Sequence, residues 1–310
     1  MRAKSARQIV QQAILLTTAA ILAFSLHANA QEAARPLEGV IDIHAHFMPD
    51  VVPRSIDAIE AARIAKQQGM RAIVLKNHYD STSAQAFLVR KAVPGIEVFG
   101  GIALNLSVGG MNPAAVERMA QMSGGYGKIV WMGSFDTETQ VRSEKTTRPF
   151  VAISKNGELL LETKAVIITI AKYHLALATG HNTPQEDLLL IREAKLQGID
   201  RIVVTHAMMA PIHMSIPQMQ QAASLGAYIE FVYNGTVGHF KEFELADYVK
   251  AIRAIGPSHC ILASDLGQAD NPIPTDGLIA YFAGLKRLGI TQSELDQMSK
   301  TNPAHLLGLN

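Results

Sequence analysis

Residues 175–206, LALATGHNTPQEDLLLIREAKLQGIDRIVVTH, hold one complete unit of the fold. A short apolar run, Leu175 to Ala178, leads to His181. Thr183-Pro184-Gln185-Glu186 then has the residues of a capping box, with Pro at the first helical position. The helix this predicts closes at Gly198, and a second apolar run, Ile202 to Val204, leads to His206. Strand, helix and strand at this spacing suit parallel strands joined by a crossover helix.

The unit recurs on both sides. Further strand candidates are Val40 to Ile43, Ala72 to Leu75, Val98 to Ala103, Ile129 to Trp131, Tyr228 to Phe231 and Ile261 to Ala263, and Gly69, Gly226 and Gly256 each close a helix just before the next strand. Before the first of these glycines, Ser55 is expected to cap a helix that has Ala58, Ala61, Ala62 and Ala65 on one face. The repetition predicts an α/β protein, a single (β/α)8 TIM barrel over residues 31–310, in preference to a doubly wound open sheet. The longest irregular segment, 135–159, is expected as an insertion after the fourth strand, either a lid over the barrel mouth or a surface excursion. Its Lys155-Asn156-Gly157-Glu158 stretch predicts a hairpin turn.

Residues 1–30 read as a cleavable export signal, with Arg2, Lys4 and Arg7 ahead of an apolar run from Ala13 to Leu26 and Ala28-Asn29-Ala30 as a cleavage site. The expected product begins near Gln31 and is periplasmic or secreted. Lys and Arg number 28 against 27 Asp and Glu, so loss of those three cations leaves 25 basic residues and a net charge of about −2. That balance offers no footprint for nucleic acid or anionic membrane. No later apolar stretch reaches the roughly 18 residues of a membrane helix. The single cysteine, Cys260, allows no intramolecular disulfide, so stability must come from a large core.

Polar residues gather at the strand ends. In Ile41-Asp42-Ile43-His44-Ala45-His46 the period of two puts both imidazoles on one side, about 7 Å apart along the backbone, where they can converge on one metal. His181 ends the fifth strand, His206 the sixth and Asp265 the eighth. In a barrel the C-terminal strand ends form the active-site face.

The order His44-x-His46, His181, His206, Asp265 resembles the amidohydrolase superfamily, and Asn302-Pro303-Ala304-His305-Leu306-Leu307-Gly308 is similar to its C-terminal segment. Ile73 to His78, Phe99 to Asn105 and Ser264 to Gln268 resemble, more narrowly, a poorly characterised amidohydrolase-related family of unknown function. The resemblance implies a divalent metal held by His44, His46, His181 and Asp265, one Zn2+ with Mn2+ or Fe2+ as alternatives, which would lower the pKa of a bound water. It implies that Asp265 moves the proton to the leaving group and that His206 orients water or polarises the substrate. Many members add a carboxylated Lys or a Glu from the fourth strand, and Ile129 to Ser134 contains neither, which favours one metal. Lys76 is the nearest substitute, and its carboxylation would allow a second metal.

Lys76, Asn105 and Glu230 are expected to bind substrate, while His78, His239 and Asp270 share their face and Met208 and Met209 stand ready to wall an apolar pocket. The expected activity is hydrolysis of a C–N or C–O bond in a small molecule such as an amide, lactone or cyclic imide. The alternatives are a metal-dependent decarboxylase, with Lys76 or Arg142 pairing with the substrate anion, and a non-catalytic exported metal- or ligand-binding protein.

Overall fold

Eight short runs of apolar residues become the strands of one parallel sheet: β1 (Ile41–His46), β2 (Ala72–Lys76), β3 (Glu97–Ala103), β4 (Gly127–Trp131), β7 (Ala176–Ala178), β8 (Ile202–Val204), β9 (Tyr228–Val232) and β10 (Cys260–Ala263). They are hydrogen-bonded in chain order, as expected for right-handed crossovers that never skip a neighbour. The computed structural model describes residues 35–309, so the export signal expected over residues 1–30 lies outside the described residues.

The sheet curls until its two edges meet. Asp265 N–H donates to His44 O at 2.7 Å and His46 N–H to Leu266 O at 2.8 Å, while the buried Asp42 carboxylate accepts from the Ser264 and His44 amides. The result is the (β/α)8 barrel, with flanking helices such as Ala58–Gln67, Pro184–Leu196 and Leu245–Ile255 outside it.

Two apolar clusters hold it together. One fills the space between sheet and helices; the other, inside the barrel, includes Ile41, Ile43, Val74, Trp131, Val203 and Ile261. Leu306 and Leu307, from the C-terminal segment, join the inner cluster, and Asn302 donates to the carbonyls of Cys260 and Pro257. That segment therefore plugs the end of the barrel at which β10 starts, opposite the mouth.

Two local expectations change. Asp57, not Ser55, caps the helix Ala58–Gln67, because its carboxylate accepts from Ile59 and Glu60 while the Ser55 amide is committed to Gly267 O. The 135–159 insertion is ordered: Glu138–Ser143 is a helix, and β5 (Ser154–Lys155) pairs antiparallel with β6 (Glu158–Leu159) across a turn in which Asn156 and Gly157 take φ of +54° and +82°.

Candidate active site

Strict alternation from Ile41 and Ile43, both inside the barrel, would turn His44 and His46 outward. The register with β2 shifts between Asp42 and Ala45, and Ala45 packs in the outer cluster. This irregularity turns the two imidazoles inward at the mouth.

There they meet Asp265. His44 Nε2 lies 2.9 Å and His46 Nε2 3.1 Å from Asp265 Oδ1, and one ligand atom from each residue falls within 4.8 Å of the others. His181, expected as the fourth ligand of this group, instead faces His206, with their Nε2 atoms 3.1 Å apart. The five strand-end residues thus divide into a group of three and a pair. Lys76 Nζ sits 2.7 Å from His44 Nε2 and 5.3 Å from the centre of the Trp131 ring. β4 contributes this ring and, as expected from the sequence, neither a Lys nor a Glu at its end. Gly101 makes room for it, since a Cβ there would come within 2.5 Å of the ring.

Neighbouring polar groups fix the imidazoles. The Glu230 carboxylate lies 3.1 Å from His44 Nδ1 and accepts from the His206 amide at 2.8 Å, so His44 turns its Nε2 toward Asp265. Gln140 Oε1 lies 2.8 Å from His181 Nδ1, and Asn234 donates to Asp265 Oδ2 at 3.3 Å. His206 and Asp265 hold left-handed backbone conformations, with φ of +24° and +47°, a strain on the order of 1–3 kcal/mol each that the surrounding hydrogen bonds must offset.

Two expected substrate-binding residues do something else. Glu230 lies beneath His44 and does not line the cavity, because β9 runs on past it to Val232. Asn105 is fully buried and spends its amide on His78 O, Ser134 and the Asp136 amide. Arg142 faces solvent and pairs with Glu138, so it offers no cation to the site. His239 and Asp270 are exposed and outside the cavity lining.

Burial dominates the electrostatics. It lowers Lys76 to about 8 against the pull of Asp265 and Glu230, lowers His46 to about 3 and His206 to about 4, and takes His78 and His181 well below the usual range. Burial also opposes charge on His44 more than any other single influence, yet the Asp265 and Glu230 carboxylates together outweigh it and raise His44 to about 9. Burial would raise Asp265, but the charge of His44 and hydrogen bonds from His44 and His46 hold it well below the carboxylate range. Neutral His46, His181 and His206 keep lone pairs for a cation.

A divalent metal fits this donor set. Two imidazole nitrogens aim at one carboxylate oxygen, with a second carboxylate fixing the far side of His44. The group forms part of the floor of a cavity of about 400 Å³, whose apolar walls include Val52, Phe135, Met209, Pro211 and Phe240. Arg54, paired with buried Asp50, also lines it. Arg54, Gln140 and Asn234 were not expected from sequence. Thr137-x-x-Gln140 is a capping pattern that would have exposed the insertion's helix, for Thr137 accepts the Gln140 amide and donates to His181 O.

The model of a family described as "Family of unknown function (DUF6282)" matches residues 39–230. No curated protein matches the sequence. Among solved structures the chain is similar to the phosphotriesterase homology protein from Escherichia coli complexed with phosphate in its active site, at 15% identity, TM-score 0.58, covering 87% of this chain and 98% of that one. It is also similar to an organophosphorus hydrolase from Deinococcus radiodurans, at 15% identity, TM-score 0.55 and coverage of 89% and 94%. A mutant phosphotriesterase-like lactonase from the same organism gives 15% identity, TM-score 0.56 and coverage of 89% and 97%. Likeness at this identity establishes the shared barrel.

Proposed function

We propose that this chain, which belongs to the DUF6282 family of unknown function, is a metal-dependent hydrolase of the amidohydrolase type. The observation that carries the reading is the convergence of His44, His46 and Asp265 on one point in the floor of the cavity at the barrel mouth. The names of the structural neighbours, hydrolases of organophosphorus compounds and a lactonase, support hydrolytic chemistry in the same mouth. The substrate is a small molecule with an ester-like C–O or amide-like C–N bond, or, as the names of the neighbours support, the P–O bond of a phosphotriester.

His44, His46 and Asp265 would hold the cation, Zn2+ or else Mn2+ or Fe2+, with His181 and His206 as a second donor pair beside them. When bound, such a cation polarises an acyl or phosphoryl oxygen and makes water nucleophilic near neutral pH. Asp265 takes the proton of the attacking water and returns it to the leaving atom, and Asn234 orients the carboxylate through Oδ2. Lys76 pairs with negative charge on the substrate. A carboxylated Lys76 would join the two donor groups, a reading that its closeness to His44 supports. The apolar walls exclude bulk water from the reacting bond.

Cation-loaded protein should hydrolyse at least one member of a panel of lactones, carboxyl esters, amides and phosphotriesters, followed by acid release. Asp265→Asn should lose about 10²-fold or more in rate. Carbon dioxide release without hydrolysis would favour a decarboxylase, and no turnover by the loaded protein on any class would contradict the reading. We also propose export with processing near Gln31. N-terminal sequencing of protein from the native cell would find a chain starting there, and an intact Met1 would contradict it.

A further inference from the structure

His78, two residues beyond β2, is neither in the convergent group nor in the histidine pair, yet it lines the same cavity. Its surroundings dictate where its proton sits. Asn105 Oδ1 accepts the amides of Ser134 and Asp136 at 2.9 and 3.1 Å, which fixes the orientation of the side-chain amide. Asn105 Nδ2 then donates to His78 O and to Ser134 Oγ, both at 2.7 Å. Ser134 is fully buried, and the one acceptor its hydroxyl proton can reach among the described residues is His78 Nδ1, at 2.8 Å. An imidazole that accepts at Nδ1 carries its proton on Nε2. Moving that proton to Nδ1, or protonating both nitrogens, would leave the buried Ser134 hydroxyl without an acceptor.

The ring is also locked in place. It stacks between His46, with centroids 4.7 Å apart, and Phe135, at 4.0 Å, with planes within 21° of parallel to each. Nε2 makes no hydrogen bond to any described residue and is not enclosed by protein, so its N–H opens on the cavity that the ring lines.

We infer that His78 is a catalytic hydrogen-bond donor whose Nε2–H, fixed by the Asn105–Ser134 relay, meets a carbonyl or phosphoryl oxygen of the substrate as negative charge develops on it. A neutral donor aimed in advance at developing charge stabilises the transition state without reorganisation. The substrate oxygen rests on the proposed hydrolytic function; the relay and its tautomer do not.

Long-range proton–nitrogen correlation spectra of the imidazoles test the relay directly near neutral pH. His78 should show a bare Nδ1 and a protonated Nε2, and Ser134→Ala should shift it toward a mixture of tautomers. A protonated Nδ1 in the natural chain overturns the inference. Binding of acetate and of inorganic phosphate to cation-loaded protein tests the donor. His78→Phe, which keeps the stack and deletes the N–H, should weaken binding at least about tenfold, and His78→Gln, which restores a donor, should stay within about threefold. Equal binding by the natural chain and His78→Phe, or binding of neither anion, overturns the donor role. A confirmed tautomer and donor in a protein that turns over no substrate sinks the hydrolase reading alone.

Discussion

Glu230 and Asn105 show what a single position can conceal. The sequence puts both on the correct face of the barrel and so suggests substrate binding, but it does not give depth below the mouth. Glu230 is an interior residue of β9 under His44, and Asn105 is the second residue after β3, enclosed by the turns it stitches together. Glu230→Gln should weaken cation affinity by about 10–100-fold through its effect on His44, measured as a dissociation constant, with the fold intact. Asn105→Ala should cost about 2–3 kcal/mol in urea denaturation, because the buried Ser134 amide and the half-buried Asp136 amide lose their acceptor. Unchanged stability would mean that water replaces the amide. The candidate ligands are legible one by one as strand-end residues, whereas the pairing of His181 with His206 depends on barrel curvature and leaves no mark in the sequence.

At the scale of elements, apolar runs located all eight strands, and Asn156-Gly157 marked its hairpin, because hydrophobic periodicity and left-handed turn residues are written directly in composition. The irregularity in β1 was not readable. A register shift adds no distinctive residue, yet this one decides that His44 and His46 face inward. The junction beside it is equally demanding. Gly267 has φ of +127°, and a Cβ there would lie 2.0 Å from His46 O. Gly267→Ala should therefore displace the end of β1, destabilise the protein by more than about 2 kcal/mol and lower cation affinity. Gly198→Ala is the control: its φ of +78° is strained but nothing lies within 4 Å, so it should cost about 1 kcal/mol and leave the cation in place. Similar losses for the two variants would remove the steric argument.

For the molecule as a whole, the outer core carries a pH liability at Asp187, on the inner face of the helix Pro184–Leu196. Neither of its carboxylate oxygens has a hydrogen-bond partner among the described residues. Burial pushes its pKa well above the usual range, opposed by the nearby Thr179 hydroxyl and reinforced by the charge of Glu186. The folded state keeps this proton where the unfolded chain, with a carboxyl near about 3.9, has released it. This group's contribution to stability is thus greatest below about pH 4 and is lost as pH rises toward the folded pKa. The stability of Asp187→Asn relative to the natural chain should grow from about pH 4 to about pH 8 in urea denaturation. A difference constant with pH would contradict this. A hydrolase of this kind needs the barrel to present a cation site at its mouth, independent of the fold around it. Elemental analysis of the purified chain and its His44→Ala, His46→Ala double variant tests this most directly. At least about one divalent cation per natural chain is expected, with a small residue of that in the double variant and the same circular dichroism for both. Full retention of metal by the double variant would contradict it.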